Sequence, residues 1–123
     1  MPKTILIVDD DAVSRELLQH TLSQKGYQIS TAEDGGPALE MVLKNPPDLI
    51  LLDIEMPNVN GYTFITELRR REAEKGSAKI AVLVLTAHDK MEPIFKRHGV
   101  RGYLLKPIDM LSLLKQVKEI LGE

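Results

Sequence analysis

Four stretches of this chain end an apolar run in a residue that can do chemistry. Thr4 to Val8 runs into Asp9-Asp10-Asp11, and Leu49 to Leu52 into Asp53. Ile80 to Leu85 runs into Thr86-Ala87, and Tyr103-Leu104-Leu105 into Lys106-Pro107. A strand-end aspartate alone reads as a helix cap or a turn residue. Gathered at one edge of a sheet, the set reads differently. Carboxylates that converge repel one another and raise one another's pKa. A hard divalent cation with oxygen ligands relieves that repulsion. Magnesium uses one or two carboxylates, keeps waters and commonly bridges to a phosphate. Thr86 offers a hydroxyl donor, and Lys106 a mobile point charge suited to a phosphoryl oxygen. Together they make a site for phosphoryl transfer onto a carboxylate, a known covalent intermediate. In such a transfer the protein mainly supplies position and charge stabilisation.

The elements that would hold these residues alternate along the chain. Thr4 to Val8 is a β-branched, apolar strand. Val13, Leu17, Thr21 and Leu22 recur at helical spacing, with Gly26 as a stop. Tyr27, Ile29 and Thr31 alternate with polar residues, which predicts a less buried strand. Asp34-Gly35-Gly36 predicts a turn, and Pro37 the first turn of a helix that ends before Pro46. Leu49 to Leu52 suits a strand buried on both faces. Pro57 and Gly61 turn the chain away, and a helix from about Tyr62 presents Phe64, Ile65 and Leu68. Arg69, Arg70, Arg71 and Lys75 read as a solvated helix end that suits the macrodipole, with Gly76 as its stop. After the Ile80 strand comes a short helical segment to His98, then the Tyr103 strand. Leu111, Leu114, Val117 and Leu121 space out a final helix capped by Asp109. Repeated strand–helix units imply an α/β fold, a doubly wound five-stranded parallel sheet in the order 2-1-3-4-5. Ligands of such sheets bind at the carboxyl edge, where the four stretches end.

Composition narrows the function. The chain has 123 residues, enough for one domain with a sizeable core, and a net charge of −2. That charge gives no electrostatic case for nucleic acid or an anionic membrane as partner. The absence of cysteine removes disulfides, thiolate catalysis and Cys-ligated metals. No stretch near the N-terminus is apolar enough for a signal peptide or a membrane span.

The combination of ILIVDDD, LILLDIEMPNVNGY, VLTA and GYLLKP, in this order and at these spacings, resembles the receiver domain of two-component response regulators over essentially the whole chain. The resemblance implies a flavodoxin-like (βα)5 receiver fold. It makes Asp53 the phosphoacceptor. Asp9 and Asp10 become the acidic pair that holds Mg2+, Asp10 being favoured as the direct ligand, with Asp53 and the backbone carbonyl of Glu55 completing the protein ligands. Thr86 matches the hydroxyl that swings to the phosphoryl group, and Lys106 the lysine that pairs with it, through a bond to Pro107 expected to be cis. Tyr103 matches the aromatic whose rotamer tracks Thr86; a half-buried strand aromatic is its plainer reading. Glu55 and His88, each two residues beyond a site residue, would tune hydrolysis of the acyl phosphate. The implied partner is a sensor histidine kinase or a histidine phosphotransfer protein, with a downstream effector left unnamed. The implied setting is the cytoplasm, and the only catalysis is of the domain's own phosphorylation and dephosphorylation. A single receiver over residues 1–123, with no output domain in this chain, is the expectation.

Two other functions are open to such residues. Phosphohydrolases of the haloacid-dehalogenase type also use an aspartyl phosphate, but carry D-x-D at the first strand; here the nucleophile lies on the third and Glu55 takes the second place. A receiver-like scaffold that has lost phosphorylation would lack a site residue, and none is missing. Asp11 reads as a cap or a solvated residue, and Tyr62 and Phe64 as packing anchors. His20, His88 and His98 have no partners at metal-ligand spacing and read as surface residues. One departure from the family concerns the segment between Thr86 and Tyr103. It is sixteen residues long and is interrupted by Pro93. This predicts a short fourth helix, mobile over 87–92 until a phosphoryl mimic occupies Asp53.

Overall fold

Unbroken apolar runs make the middle of this sheet, and alternating ones its edge. The computed structural model describes residues 2–54, 61–87 and 95–123. Its elements are β1 (Thr4–Val8), α1 (Ala12–Ser23), β2 (Gln28–Ala32), α2 (Gly35–Lys44), β3 (Leu49–Asp53), α3 (Gly61–Lys75), β4 (Ala81–Thr86), β5 (Gly102–Leu105) and α4 (Met110–Leu121). All pairings are parallel, in the order β2-β1-β3-β4-β5, as the sequence predicts. β3 is buried along its whole length. β2 keeps Gln28 and Ser30 in solvent, as suits an edge strand. The expected short fourth helix and its mobility fall largely on residues 88–94, outside the described residues, as do Glu55 and His88.

Side chains alternate across the sheet and build two cores. On one face Ile5, Ile7, Leu49, Leu51, Leu83 and Leu85 pack against α1 and α4. On the other, Leu6, Val8, Ile50, Leu52, Val82 and Val84 pack against α2 and α3. Two helices match the sequence reading in part: Leu22 and Val117 are buried and Leu114 and Leu121 pack on the core, while Val13, Leu17 and Leu111 do not. α1 buries Leu18 and Leu22, while Val13 and Leu17 are 74% and 51% exposed. The two pairs are parallel i, i+4 stripes about 100° apart on the helix, and only one can face the sheet. α4 likewise buries Leu113 and Val117 and leaves Leu111 in solvent. Gly35 and Gly36 lie inside α2 instead of forming a separate turn. Asp34 caps that helix by accepting from the Gly35 N–H at 2.7 Å.

In the basic run on α3, Arg70, Arg71 and Lys75 keep much of their surface in solvent, as the sequence reading has it, and Arg69 is the departure. Arg70 and Arg71 pair with acids of their own helix, at Glu67 and Glu74. Arg69 is buried with Glu72. Gly76, at φ +66°, then ends the helix as expected.

Gly61 packs directly against Ile54, the residue that follows β3. Its N–H donates to the Ile54 carbonyl at 3.3 Å, and a Cβ there would meet the Ile54 Cα at 2.6 Å. Ile54 adjoins Asp53, so the contact fixes the backbone beside it. Replacing Gly61 with Ala is expected to destabilise the fold by about 1–3 kcal/mol, as overpacking does. A urea titration should show this as a lower midpoint with an unchanged slope.

Candidate functional site

Register, not loop flexibility, brings the acidic residues together. Val8 is abreast of Leu52 in the β1–β3 pair, so the next residues, Asp9 and Asp53, leave the sheet side by side. Both follow the parity of the α1/α4 face. Carboxylate oxygens of Asp9, Asp10 and Asp53 lie within 4.8 Å of one another. Asp53 is 2% exposed and Asp9 1%, while Asp10 is in solvent. On the same edge, Lys106 N–H donates to the Thr86 carbonyl at 2.7 Å, which ties the end of β5 to that of β4. The Lys106 Nζ then reaches Asp53 Oδ1 at 3.1 Å. The Lys106–Pro107 bond is cis. Thr86 is fully buried and follows the opposite parity, that of Val82 and Val84. Tyr103 is in register with Val84 and packs on the same core, two positions back from Thr86 on the neighbouring strand.

Asp9 carries the electrostatic strain of the cluster. Its Oδ1 accepts the Asp11 N–H at 2.9 Å, but its Oδ2 is buried without a hydrogen-bond partner among the described residues. Burial pushes its pKa up from 3.8 to about 6, and the charge and contact of Asp53 add to the rise. The Asp11 N–H and the charge of Lys106 pull the other way without cancelling it. A buried oxygen without a donor, facing two further carboxylates, is the donor set of a hard divalent cation. Asp11 is a cap: it accepts from the N–H groups of Val13 and Ser14 and from Ser14 Oγ. Its pKa is lowered, first by the Ser14 hydroxyl.

Sequence reasoning missed Arg15. Its Nη1 donates to the Asp9 carbonyl at 2.9 Å, and its Nη2 lies 3.5 Å from Glu33. The guanidinium thus holds the backbone of an acidic residue from one turn into α1. Its place four residues after the Asp11 cap was the available signal. A cleft of about 260 Å³ opens beside the site between α1 and α4, lined by Asp9, Leu18, Lys106 and Ile108 among others. A larger hollow of about 520 Å³ lies at the opposite edge, with Lys44 as its one charged lining residue, and holds no acidic group. Among the described residues no helix is long and apolar enough to cross a membrane.

Between pH 3.8 and about 6 the folded chain binds more protons at Asp9 than the unfolded chain does. The contribution of this group to stability therefore falls as pH rises through that window, and the loss is complete above it. Asp9→Asn is expected to raise the Tm of the metal-free protein by several degrees at about pH 7.5. The difference should vanish near pH 4. Thermal melts in chelator at the two pH values check it.

Comparison with known proteins agrees with this geometry. Residues 5–118 match the response regulator receiver domain. Protein PilH of Pseudomonas aeruginosa is 35% identical over 119 residues, covering 96% of this chain and 97% of PilH. Response regulator MprA of Mycobacterium sp. (strain KMS) is 36% identical over 98% of this chain, which spans 51% of that relative's length. The structure of response regulator TrrA from Thermotoga maritima, in complex with Mg2+ and BeF, superposes with a TM-score of 0.82 at 34% identity. That match covers 96% of this chain and 98% of TrrA. The chain belongs to the response regulator receiver domain family.

Proposed function

We propose that the domain is a phosphorylation-controlled switch whose phosphoacceptor is Asp53. One observation carries this: a carboxylate 2% exposed, paired to Lys106 Nζ at 3.1 Å, beside two further carboxylates at the carboxyl edge of the sheet. An Asp53 oxygen attacks the phosphorus of a phosphohistidine on a sensor kinase or phosphotransfer protein. The P–O bond forms as the P–N bond breaks, and the imidazole leaves. Lys106 then pairs with a phosphoryl oxygen, as a short-range point charge. Asp9, Asp10, Asp53 and the backbone carbonyl of Glu55 would hold Mg2+, which when bound neutralises charge on the phosphoryl oxygens. The orphaned Asp9 oxygen supports that assignment.

The response runs through Thr86 and Tyr103. Their common sheet face, and the register that sets Tyr103 beside Val84, support a coupled pair. Glu55 and His88 set how fast water hydrolyses the acyl phosphate, and the domain catalyses no other reaction. The phosphodonor is a histidine kinase or histidine phosphotransfer protein in the cytoplasm, and the output is a protein effector, with no direct role for nucleic acid or membrane. A single receiver over residues 1–123 is the domain assignment.

With acetyl phosphate and magnesium, intact-mass spectrometry should show one added phosphoryl group, lost in Asp53→Asn. Equal labelling of that variant would remove Asp53 from the role. Millimolar magnesium alone should raise the Tm, since binding to the folded state relieves the clustered charge. The rise should shrink in Asp10→Asn, and an unchanged Tm across the titration would count against a metal site.

A further inference from the structure

Helix α3 carries a buried charge pair that lies outside the carboxylate site. Arg69 and Glu72 are 2.8 Å apart, their side chains 9% and 7% exposed. Glu72 Oε2 accepts the Ile80 N–H at 2.7 Å. Arg69 Nη2 donates to the Ile80 carbonyl at 3.0 Å, and its Nε to the His98 carbonyl at 2.7 Å. One side-chain pair thus binds both backbone groups of the residue that leads into β4 and the turn that leads into β5. A second contact joins the same partners. Tyr62, about two turns earlier on α3, sets its ring edge-on to Phe95 at 6.1 Å and to His98 at 5.5 Å. Phe95 is fully buried.

Burying an ion pair is a weak route to stability, since packed apolar side chains often hold elements together as well. What a guanidinium fork adds is direction, because its planar donors fix several acceptors at once. We propose that Arg69 is a positioning residue that pins the far end of the β4–β5 connection to α3. The inference rests on reading Asp53 as the phosphoacceptor. The connection leaves the site at Thr86, and His98 lies near its far end, held by the same Arg69 as the Ile80 that leads into β4. With His98 held before Asp53 is modified, less chain freedom is lost when the site responds.

The test titrates beryllofluoride with magnesium against the full chain and follows backbone amides by NMR and hydrogen exchange. Arg69→Lys keeps the charge and loses the fork. It should raise the beryllofluoride midpoint about three- to tenfold and speed exchange at His98 and Gly99 about tenfold or more. Tyr62→Ala, at a position 44% exposed, should fold normally and move both readouts the same way by a smaller factor. It carries the test if Arg69→Lys does not fold. Variants that melt lower yet keep the midpoint and the protection of the unaltered chain would make the clamp purely structural and overturn the proposal. If the unaltered chain ignores beryllofluoride, the phosphoacceptor reading falls, and this role for Arg69 with it.

Discussion

Like charge packed at a buried sheet edge is the constraint around which the molecule is arranged. The β1–β3 register forces Asp9 and Asp53 abreast, and both lie almost out of reach of water. Water cannot screen them, so fixed groups must. Lys106 takes one oxygen of Asp53, the Asp11 N–H takes one oxygen of Asp9, and Arg15 steadies the Asp9 backbone. These groups do not offset the burial of Asp9, and its proton affinity stays raised, first by loss of water and then by the neighbouring charge of Asp53. A fully buried β3 makes the arrangement possible, because a looser strand would let the carboxylates separate.

The pleat then divides the work between the two faces of the sheet. Asp9 and Asp53 follow the α1/α4 side, while Thr86 and Tyr103 follow the α2/α3 side. Asp53 and Thr86 both end their strands at the carboxyl edge, where β4 and β5 are tied by the Lys106 N–H. On the proposed reading, an event at the first set reaches the second across that edge, with the packed interior unchanged. α3 belongs to the second side, and it holds the entry to β4 and the turn before β5 through Arg69.

The sheet was legible because every strand except the alternating β2 is an apolar run with a distinctive terminus. Strand order followed from chain length and the rules for parallel crossovers. Asp53, Lys106 and the acidic pair were legible for the same reason: they sit where apolar runs stop. Helix phase was less so. Val13/Leu17 and Leu18/Leu22 satisfy the same spacing, and only the docked helix decides which stripe is inside. Leu111 misled in the same way. Arg69 was hidden in a basic run whose other arginines are exposed or partly so; nothing local marks the one whose acceptors lie 11 and 29 residues away. Arg15 was missed for a related reason, since its main partner is a backbone carbonyl, and every residue has one.

The strand order also fixes the sequence in which the charges can meet as the chain folds. The central pair joins Ile5 to Leu49, so the loop it closes is long and spans two crossover units. That step brings Asp9 and Asp53 together. Lys106 lies 53 residues beyond Asp53 and docks with the last strand. In a chain emerging amino end first, both aspartates are therefore available to meet before Lys106 is made. Early β1–β3 pairing works against electrostatic repulsion that the finished domain has partly neutralised, and closing β5 onto β4 supplies the Lys106–Asp53 pair.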